Sequence, residues 1–410
     1  MPVSPMEFFA ATAPGLESIA LGELKRLGVK AKAETGGVSY RGDPDTLYAT
    51  NLWLRTPSRI VVRIARFHAS TFHELERRAK HVPWAHFLAP NANVRIRVTC
   101  RKSRLYHSDA VAERLLTAIT AAVPGTVRFS GEAVADDYDV DEVARADEVE
   151  SNALSPAQLF IARIVDDECE VSADTSGELL HRRGYRQEIA KAPLRETLAA
   201  AMVLASGWKP SEPLIDPLCG SGTILIEAAL VARGIAPGLK RRFAFMDWPG
   251  FDAQRWREVL DSAEKRAASP RAHLELFGAD RDKGAIDAAR NNAERAGVAG
   301  DIRLAAQPLA VTLDGLASEN PGWVLTNPPY GVRMGDGDGL RDLYARLGSS
   351  FKTGEGWRLG ILTSDADLAR QTGLPLRARF STRNGGIPVA FFAQEKTSAS
   401  RERPRKSRVG

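Results

Sequence analysis

The sequence predicts a two-part α/β protein in which a mostly parallel, doubly wound sheet follows a smaller α+β region. Three observations predict it. From Leu214 onward short apolar runs alternate with helical patterns, the rhythm of strand–helix units that build a parallel sheet. Four of those runs end in order on or beside Asp216, Asp280, Gln307 and Asn327, polar residues at the strand ends where open α/β sheets bind ligands. A chain of 410 residues with 44% hydrophobic content also exceeds one ordinary core and calls for two or three domains.

In the first part, Pro14–Gly28 carries apolar residues at helical spacing and ends on a glycine, which predicts the first helix. Gly37–Tyr40 and Arg59–Ile64 read as strands, with a helix over Leu47–Arg55 between them. Asn93–Cys100 alternates strictly, so a strand there puts Arg95 and Arg97 on one face and Val94, Ile96 and Val98 on the other. Arg101, Lys102 and Arg104 follow, then a helix over Ala110–Ile119. Leu159–Thr175 reads as two strands around a turn, Glu178–Lys191 as a basic linker or substrate-side loop, and Ala192–Gly207 as a helix.

Charge is distributed unevenly about a net +5. Between Arg55 and Arg104 twelve Lys and Arg stand against two acids, Glu74 and Glu76. Such a patch fits a polyanion, because each phosphate contact releases counterions; a solvated basic face is the competing reading. Glu132–Glu150 reverses the balance, nine acids against Arg145, and reads as an exposed loop. The basic tail, 396–410, has too few apolar residues to pack and is expected to be disordered. No run of about twenty apolar residues and no secretory signal pattern is visible, so a cytoplasmic protein without a membrane span is expected. Cys100, Cys169 and Cys219 form neither a disulfide framework nor a metal-ligand spacing, and no metal is expected.

The chemistry concentrates at the strand ends. Pro213–Thr223 is a short strand, an acid, a glycine turn and a helix start. Only Gly220 and Gly222 follow the dinucleotide spacing, since position 225 is Leu225. Asp216 beside the turn suits a ligand with a cationic amino group and would repel a pyrophosphate. A purely structural turn is the alternative. Leu274–Ala279 ends in Asp280, placed to accept from ribose hydroxyls, although a strand-end Asp is more often a helix N-cap. The long interval before it implies an insertion, Gly234–Trp256, over the sheet edge. Asp301–Ala306 leads to Gln307, whose amide suits an adenine edge.

Gly322–Thr326 delivers Asn327-Pro328-Pro329-Tyr330, the most specific feature. Two prolines remove two backbone donors and stiffen the turn. The Asn oxygen and a proline carbonyl then suit both protons of a planar amino group, and Tyr330 suits stacking against a base taken out of its helix. Phe243, Trp248 and Arg183 are further RNA-contact candidates that packing explains equally well.

These residues resemble class I methyltransferases fused to an N-terminal THUMP domain, close to the bacterial large-subunit ribosomal RNA guanine-N2-methyltransferases. The likeness rests on RVTCRKSRLYHSD, DTSGELLHRRGYR, APLRETLAAAM, DPLCGSGT, IAPGL with FAFMDWPGFD, GADRDKGAIDAARNNAERAGV and TNPPYGVRM. It implies a Rossmann-like catalytic sheet and S-adenosylmethionine as cofactor. Asp216, Gly220 and Gly222 would hold the methionine part, within a cofactor site that includes Pro217, Cys219, Ser221, Thr223, Arg281, Gln307 and Asn327. Asp280 would bind the ribose, and Gln307 stands where the family usually carries an Asp. Asn327, Pro328, Pro329 and Tyr330 would form the catalytic site. RNA would meet Arg95, Arg97, Arg101, Lys102 and Arg104.

The expected division is a ferredoxin-like part over 1–60, a THUMP domain over 61–177, a methyltransferase domain over 178–395 and the tail. The expected partner is structured RNA, 23S rRNA or a ribosomal precursor. Guanine N2 in transfer RNA, adenine N6 in RNA or DNA, and a noncatalytic RNA-binding assembly factor are the alternatives.

Overall fold

The structure, a computed structural model, describes residues 5–128, 157–187, 194–269, 273–316, 320–330, 337–351 and 356–395. The acidic stretch Glu132–Glu150 and the basic tail lie outside these residues. The first part contains β1 (Met6–Ala11), α1 (Glu17–Arg26), β2 (Ala31–Glu34), β3 (Gly37–Gly42), α2 (Pro44–Trp53), β4 (Arg59–His68), α3 (Phe72–Ala79), β5 (Asn93–Arg101), α4 (Ser108–Ala122), β6 (Val127–Arg128), β7 (Ala157–Val165) and β8 (Glu168–Asp174). Local chemistry fixes the helix starts. Asp43 accepts from Thr46 N at 2.9 Å with Pro44 in the first turn of α2, and Thr71 caps α3.

The strands form one sheet in the order β2-β3-β1-β4-β8-β7-β5-β6. The expected division after residue 60 falls inside β4, whose Arg59–Arg63 pairs with β1 and whose Val61–His68 pairs with β8. On β5 Val94 is buried, and Ile96 and Val98 pack on the core, as the alternation requires; Arg95 and Arg97, on the opposite face, are half-buried.

The second part contains α5 (Glu196–Ser206), β9 (Leu214–Asp216), α6 (Thr223–Arg233), α7 (Ala253–Ala268), β10 (Leu276–Asp280), α8 (Lys283–Ala296), β11 (Ile302–Ala306), α9 (Leu309–Asp314), β12 (Trp323–Thr326), α10 (Gly337–Ser349), β13 (Arg358–Thr363), α11 (Ala366–Gln371), β14 (Leu376–Asn384) and β15 (Ile387–Gln394). The sheet order is β11-β10-β9-β12-β13-β15-β14. Its first five strands run parallel, and β15 is antiparallel to both neighbours. The order reverses between β9 and β12, which opens a ligand crevice at their carboxyl ends.

The insertion Gly234–Trp256 does not lie over the sheet edge as the sequence suggested; it docks on the first part. Phe243 and Phe245 stack at 5.4 Å, Trp256 meets Phe245 edge-on, and Tyr48 of α2 lies 5.2 Å from Phe245. Trp248 donates to Gln158 Oε1 at 2.8 Å. The physical reason is burial: these large rings shed more water against α2 than at an exposed edge. Phe243, Trp248 and Arg183 are all buried, so none is an RNA contact.

Part of the expected linker is likewise interior, since His181, Arg183 and Tyr185 are buried while Glu178, Gly184 and Gln187 are exposed. Arg183 pairs with Glu227 of α6 at 2.8 Å and donates to Arg55 O at 2.7 Å, and Tyr185 donates to Glu227 Oε1 at 2.9 Å. Arg55 in turn donates to Ile235 O at 2.6 Å, while its backbone N–H and that of Thr56 bind the Glu23 carboxyl. This buried network ties the first part to the helix that follows the glycine turn.

Candidate active site

The crevice is built from the ends of β9, β10 and β12. Asp216 closes β9 and is buried, and its Oδ1 accepts from Leu218 N at 3.2 Å. Burial pushes its carboxyl up to about 7; the Thr326 hydroxyl and the Leu218 N–H oppose the rise, and the Asp280 charge adds to it. The turn after it needs glycine. Gly220 and Gly222 take φ of +52° and +81°, and a Cβ at Gly222 would also press on Ala289 Cβ at 3.0 Å.

Asp280 is not the N-cap of α8. Asp282 takes that role, accepting from Gly284 N at 2.8 Å. Asp280 instead accepts from Gly220 N and Asp282 N, both at 3.0 Å, and thereby ties the end of β10 to the glycine turn. Arg281 beside it is exposed. Cys219 is buried under the turn, its thiol pushed well up by burial and by Asp216 and Asp280, so it packs without being a nucleophile. Ser221 and Thr223 are buried, and Asn292 donates to Ser221 O at 3.2 Å. Pro217 is buried beside them. Gln307 stands just past β11; its amide nitrogen donates to Thr312 Oγ1 at 2.9 Å, which leaves the amide oxygen as an acceptor.

Asn327 and Pro328 continue β12 into this crevice, Pro328 buried and Pro329 exposed. The Asn327 Oδ1 is buried with no hydrogen-bond partner among the described residues. A buried acceptor left unmade costs about 1–3 kcal/mol, so the position calls for a donor from a ligand. Tyr330 is half-buried against the sheet core, and its hydroxyl accepts from Asn384 Nδ2 at 3.0 Å, which pins the ring from the β14–β15 hairpin. The sequence reading missed Asn384 and Asn292.

The crevice therefore joins two carboxylates, a glycine turn and an orphaned amide acceptor. A model of the RMKL-like methyltransferase domain family matches residues 183–390. The chain belongs to that family. The RlmL ferredoxin-like domain matches residues 7–61 and the THUMP domain residues 69–133. As a class I methyltransferase it takes its methyl group from S-adenosylmethionine. A Synechocystis protein named as an RNA methyltransferase is 35% identical over 95% of this chain and 96% of its own length. The ribosomal RNA large subunit methyltransferase K/L of Syntrophotalea carbinolica is 35% identical over 94% of this chain but 53% of its own length. The chain thus spans about half the length of that K/L relative. A methyltransferase crystallised with SAH shares 29% identity at a TM-score of 0.81, covering 97% of this chain and 100% of that one.

Among the basic residues, Arg101 at the end of β5 and Lys102 and Arg104 in the loop after it are exposed. Others in the basic window are not available to a polyanion. Arg55 and Arg59 are buried, Arg59 paired with Asp174, and Arg63 pairs with Glu7, Glu34 and Glu170 at 3.1–3.2 Å. No helix among the described residues is long and apolar enough to cross a membrane, and none of their acidic, His or Cys side chains cluster as metal ligands.

Proposed function

We propose that this chain transfers the methyl group of S-adenosylmethionine to the exocyclic N2 of a guanine in 23S rRNA. The observation that carries the reading is the buried, unpartnered Asn327 Oδ1 at the point where the strand order reverses. The guanine amino group has its lone pair delocalised into the ring and is a poor nucleophile. The Asn327 oxygen and the Pro328 carbonyl accept hydrogen bonds from its two N–H groups, which favours the pyramidal form and stabilises the positive charge that develops on nitrogen, and one N–H proton then passes to water. Pro328 and Pro329 contribute no competing N–H. Tyr330, held by Asn384, stacks on the flipped base. The cofactor supplies a sulfonium methyl that is electrophilic without a covalent enzyme intermediate. Positioning accordingly accounts for much of the rate.

In the same reading Asp216, with the turn Pro217–Thr223, receives the methionine end of the cofactor, Asp280 and Arg281 lie at its ribose, and the free oxygen of Gln307 accepts from its adenine amino group. Arg101, Lys102 and Arg104 contact RNA, with Arg95 and Arg97 behind them on β5. Residues 1–60, 61–177 and 178–395 serve as ferredoxin-like, THUMP and catalytic units. The K/L name of the half-matched relative supports the large-subunit target.

Nucleosides of ribosomal and transfer RNA from cells with and without the gene test the target. Loss of N2-methylguanine from large-subunit RNA alone is expected. Loss from transfer RNA, or loss of N6-methyladenine, contradicts it.

The Asp216 role predicts a pH dependence of cofactor binding. A cationic amino group selects the ionised carboxylate, so affinity is full above about 7 and falls as protons occupy the raised site below it. Calorimetry at pH 7.5 and pH 6 should show about fivefold to tenfold weaker binding at the lower value. Asp216→Asn should bind weakly and flatten the difference. An unchanged slope in that variant removes Asp216 from the ammonium site.

A further inference from the structure

Helix α8 packs one buried stripe against α6 and the sheet: Ile286, Ala289, Asn292, Ala293 and Ala296, at helical spacing. Asn292 is the one polar member of that stripe and is fully buried. The helix also meets the glycine turn, since Ala289 Cβ lies 3.0 Å from where a Cβ on Gly222 would stand. Three residues further along the same face, Asn292 Nδ2 donates to Ser221 O at 3.2 Å. Its Oδ1 accepts from Arg295 Nη2 at 2.5 Å. Arg295, half-buried, also donates through Nε to Tyr185 O at 2.8 Å, on the segment that joins the two parts of the chain.

The two neighbours fix which way the amide faces. A guanidinium only donates and a peptide carbonyl only accepts, so the Asn292 oxygen must face Arg295 and its nitrogen Ser221. Alanine in its place makes neither bond, and an ionised aspartate cannot donate. The peptide held in this way is the Ser221–Gly222 unit. Its carbonyl is drawn to α8, while its N–H, on the opposite side of a trans peptide, donates to Cys219 O at 2.8 Å. Anchored at both ends, this peptide is not free to rotate. That restraint matters because Gly222, at φ +81°, is the N-cap of α6 and has no Cβ of its own to limit the backbone. Asp280 holds the residue before Ser221 through Gly220 N at 3.0 Å, so β10 and α8 fix the turn from two sides.

We propose that Asn292 is a positioning residue for the cofactor, its amide oriented by Arg295 so that the Ser221–Gly222 peptide keeps the shape that receives S-adenosylmethionine. The proposal rests on the reading above that this turn lines the cofactor site. Because Tyr185 O is a second acceptor of Arg295, the segment entering the catalytic part supports the cofactor turn through these two side chains. A turn that must order itself on binding weakens affinity for the cofactor and leaves the chemistry at its methyl group as it was.

The test is calorimetric titration of the full chain with S-adenosylmethionine. Asn292→Asp, which keeps the shape and loses the donor, and Asn292→Ala should each bind about threefold to tenfold more weakly, the net contribution of one hydrogen bond. In methyl transfer the loss should appear in KM for S-adenosylmethionine and not in kcat. Arg295→Ala should weaken binding by itself yet cost little further in the Asn292→Ala background, because it acts through that amide. Additive losses overturn the proposal. So does wild-type affinity in both Asn292 variants with a lower midpoint of urea unfolding, the mark of a merely structural role. Gly222→Ala separates this failure from that of the turn itself. Weaker binding by Gly222→Ala beside wild-type affinity in the Asn292 variants leaves the turn at the cofactor and overturns the role of Asn292. Wild-type affinity in Gly222→Ala as well removes the turn from the cofactor site, and the proposal with it.

Discussion

Asn327→Ala is expected to lower kcat for methyl transfer by about 10²- to 10³-fold at saturating S-adenosylmethionine, the usual cost of deleting one group aimed at transition-state charge. The residue has little else to do in the structure. Its Oδ1 is buried and unpartnered among the described residues, so the native fold gains no internal hydrogen bond from it and bears the cost of burying it. A group kept under that penalty at the end of β12 is explained by a donor that arrives with the substrate. Stability should therefore change little, or rise, while activity collapses. Asn327→Asp, which keeps an acceptor oxygen at the same place, should retain more activity than the alanine variant. Near-wild-type turnover by Asn327→Ala would remove the acceptor role.

Glu227→Ala carries the largest expected effect on stability, a loss of about 3–5 kcal/mol. Glu227 on α6 is fully buried and receives both the Arg183 guanidinium, at 2.8 Å, and the Tyr185 hydroxyl, at 2.9 Å. Truncation leaves a buried cation and a buried phenol without their acceptor. Arg55, whose burial lowers its guanidinium to about 10, lies in the same network and depends partly on the Glu227 charge. The midpoint of urea unfolding should fall accordingly, and Glu227→Gln, which keeps an acceptor for Tyr185, should fall less. Because the network joins the linker to the helix behind the glycine turn, the alanine variant should also bind cofactor more weakly. A shift worth less than about 1 kcal/mol would mean that the pair contributes little beyond its own desolvation.

Asp216, Asp280 and Asn327 were legible in the sequence because each closes a short apolar strand and is followed by turn residues that announce the strand end. The parallel sheet was legible in the alternation of strand and helix patterns after Leu214, and the ligand end of the sheet in these strand-end residues. Asn384 was not legible. It reaches Tyr330 across 54 residues, through a hairpin that pairs antiparallel at the edge of a parallel sheet, and nothing local in Arg383-Asn384-Gly385 records that contact. The aromatic residues of the 234–256 insertion were visible, but their partner on α2 was not, because burial is a property of the assembled chain.

The basic window misled by its count. Arg59 and Arg63 lie in β4, where each meets carboxylates brought from distant strands and is buried or half-buried, whereas Arg101 at the end of β5 and Lys102 and Arg104 after it are exposed, although Arg104 reaches Asp167 at 3.7 Å. Charge counted along the chain overstates a patch wherever pairing is nonlocal.

The central claim, a planar amino group held by Asn327 and methylated directly, is tested most directly with purified protein. Labelled S-adenosylmethionine and RNA from cells lacking the gene are incubated with the wild type and with Asn327→Ala, and the labelled nucleoside is then identified. Label in N2-methylguanosine of 23S rRNA with the wild type, and its near absence with the variant, is the predicted result. Label on a ring carbon or a ribose oxygen, or equal label with the variant, would contradict the account.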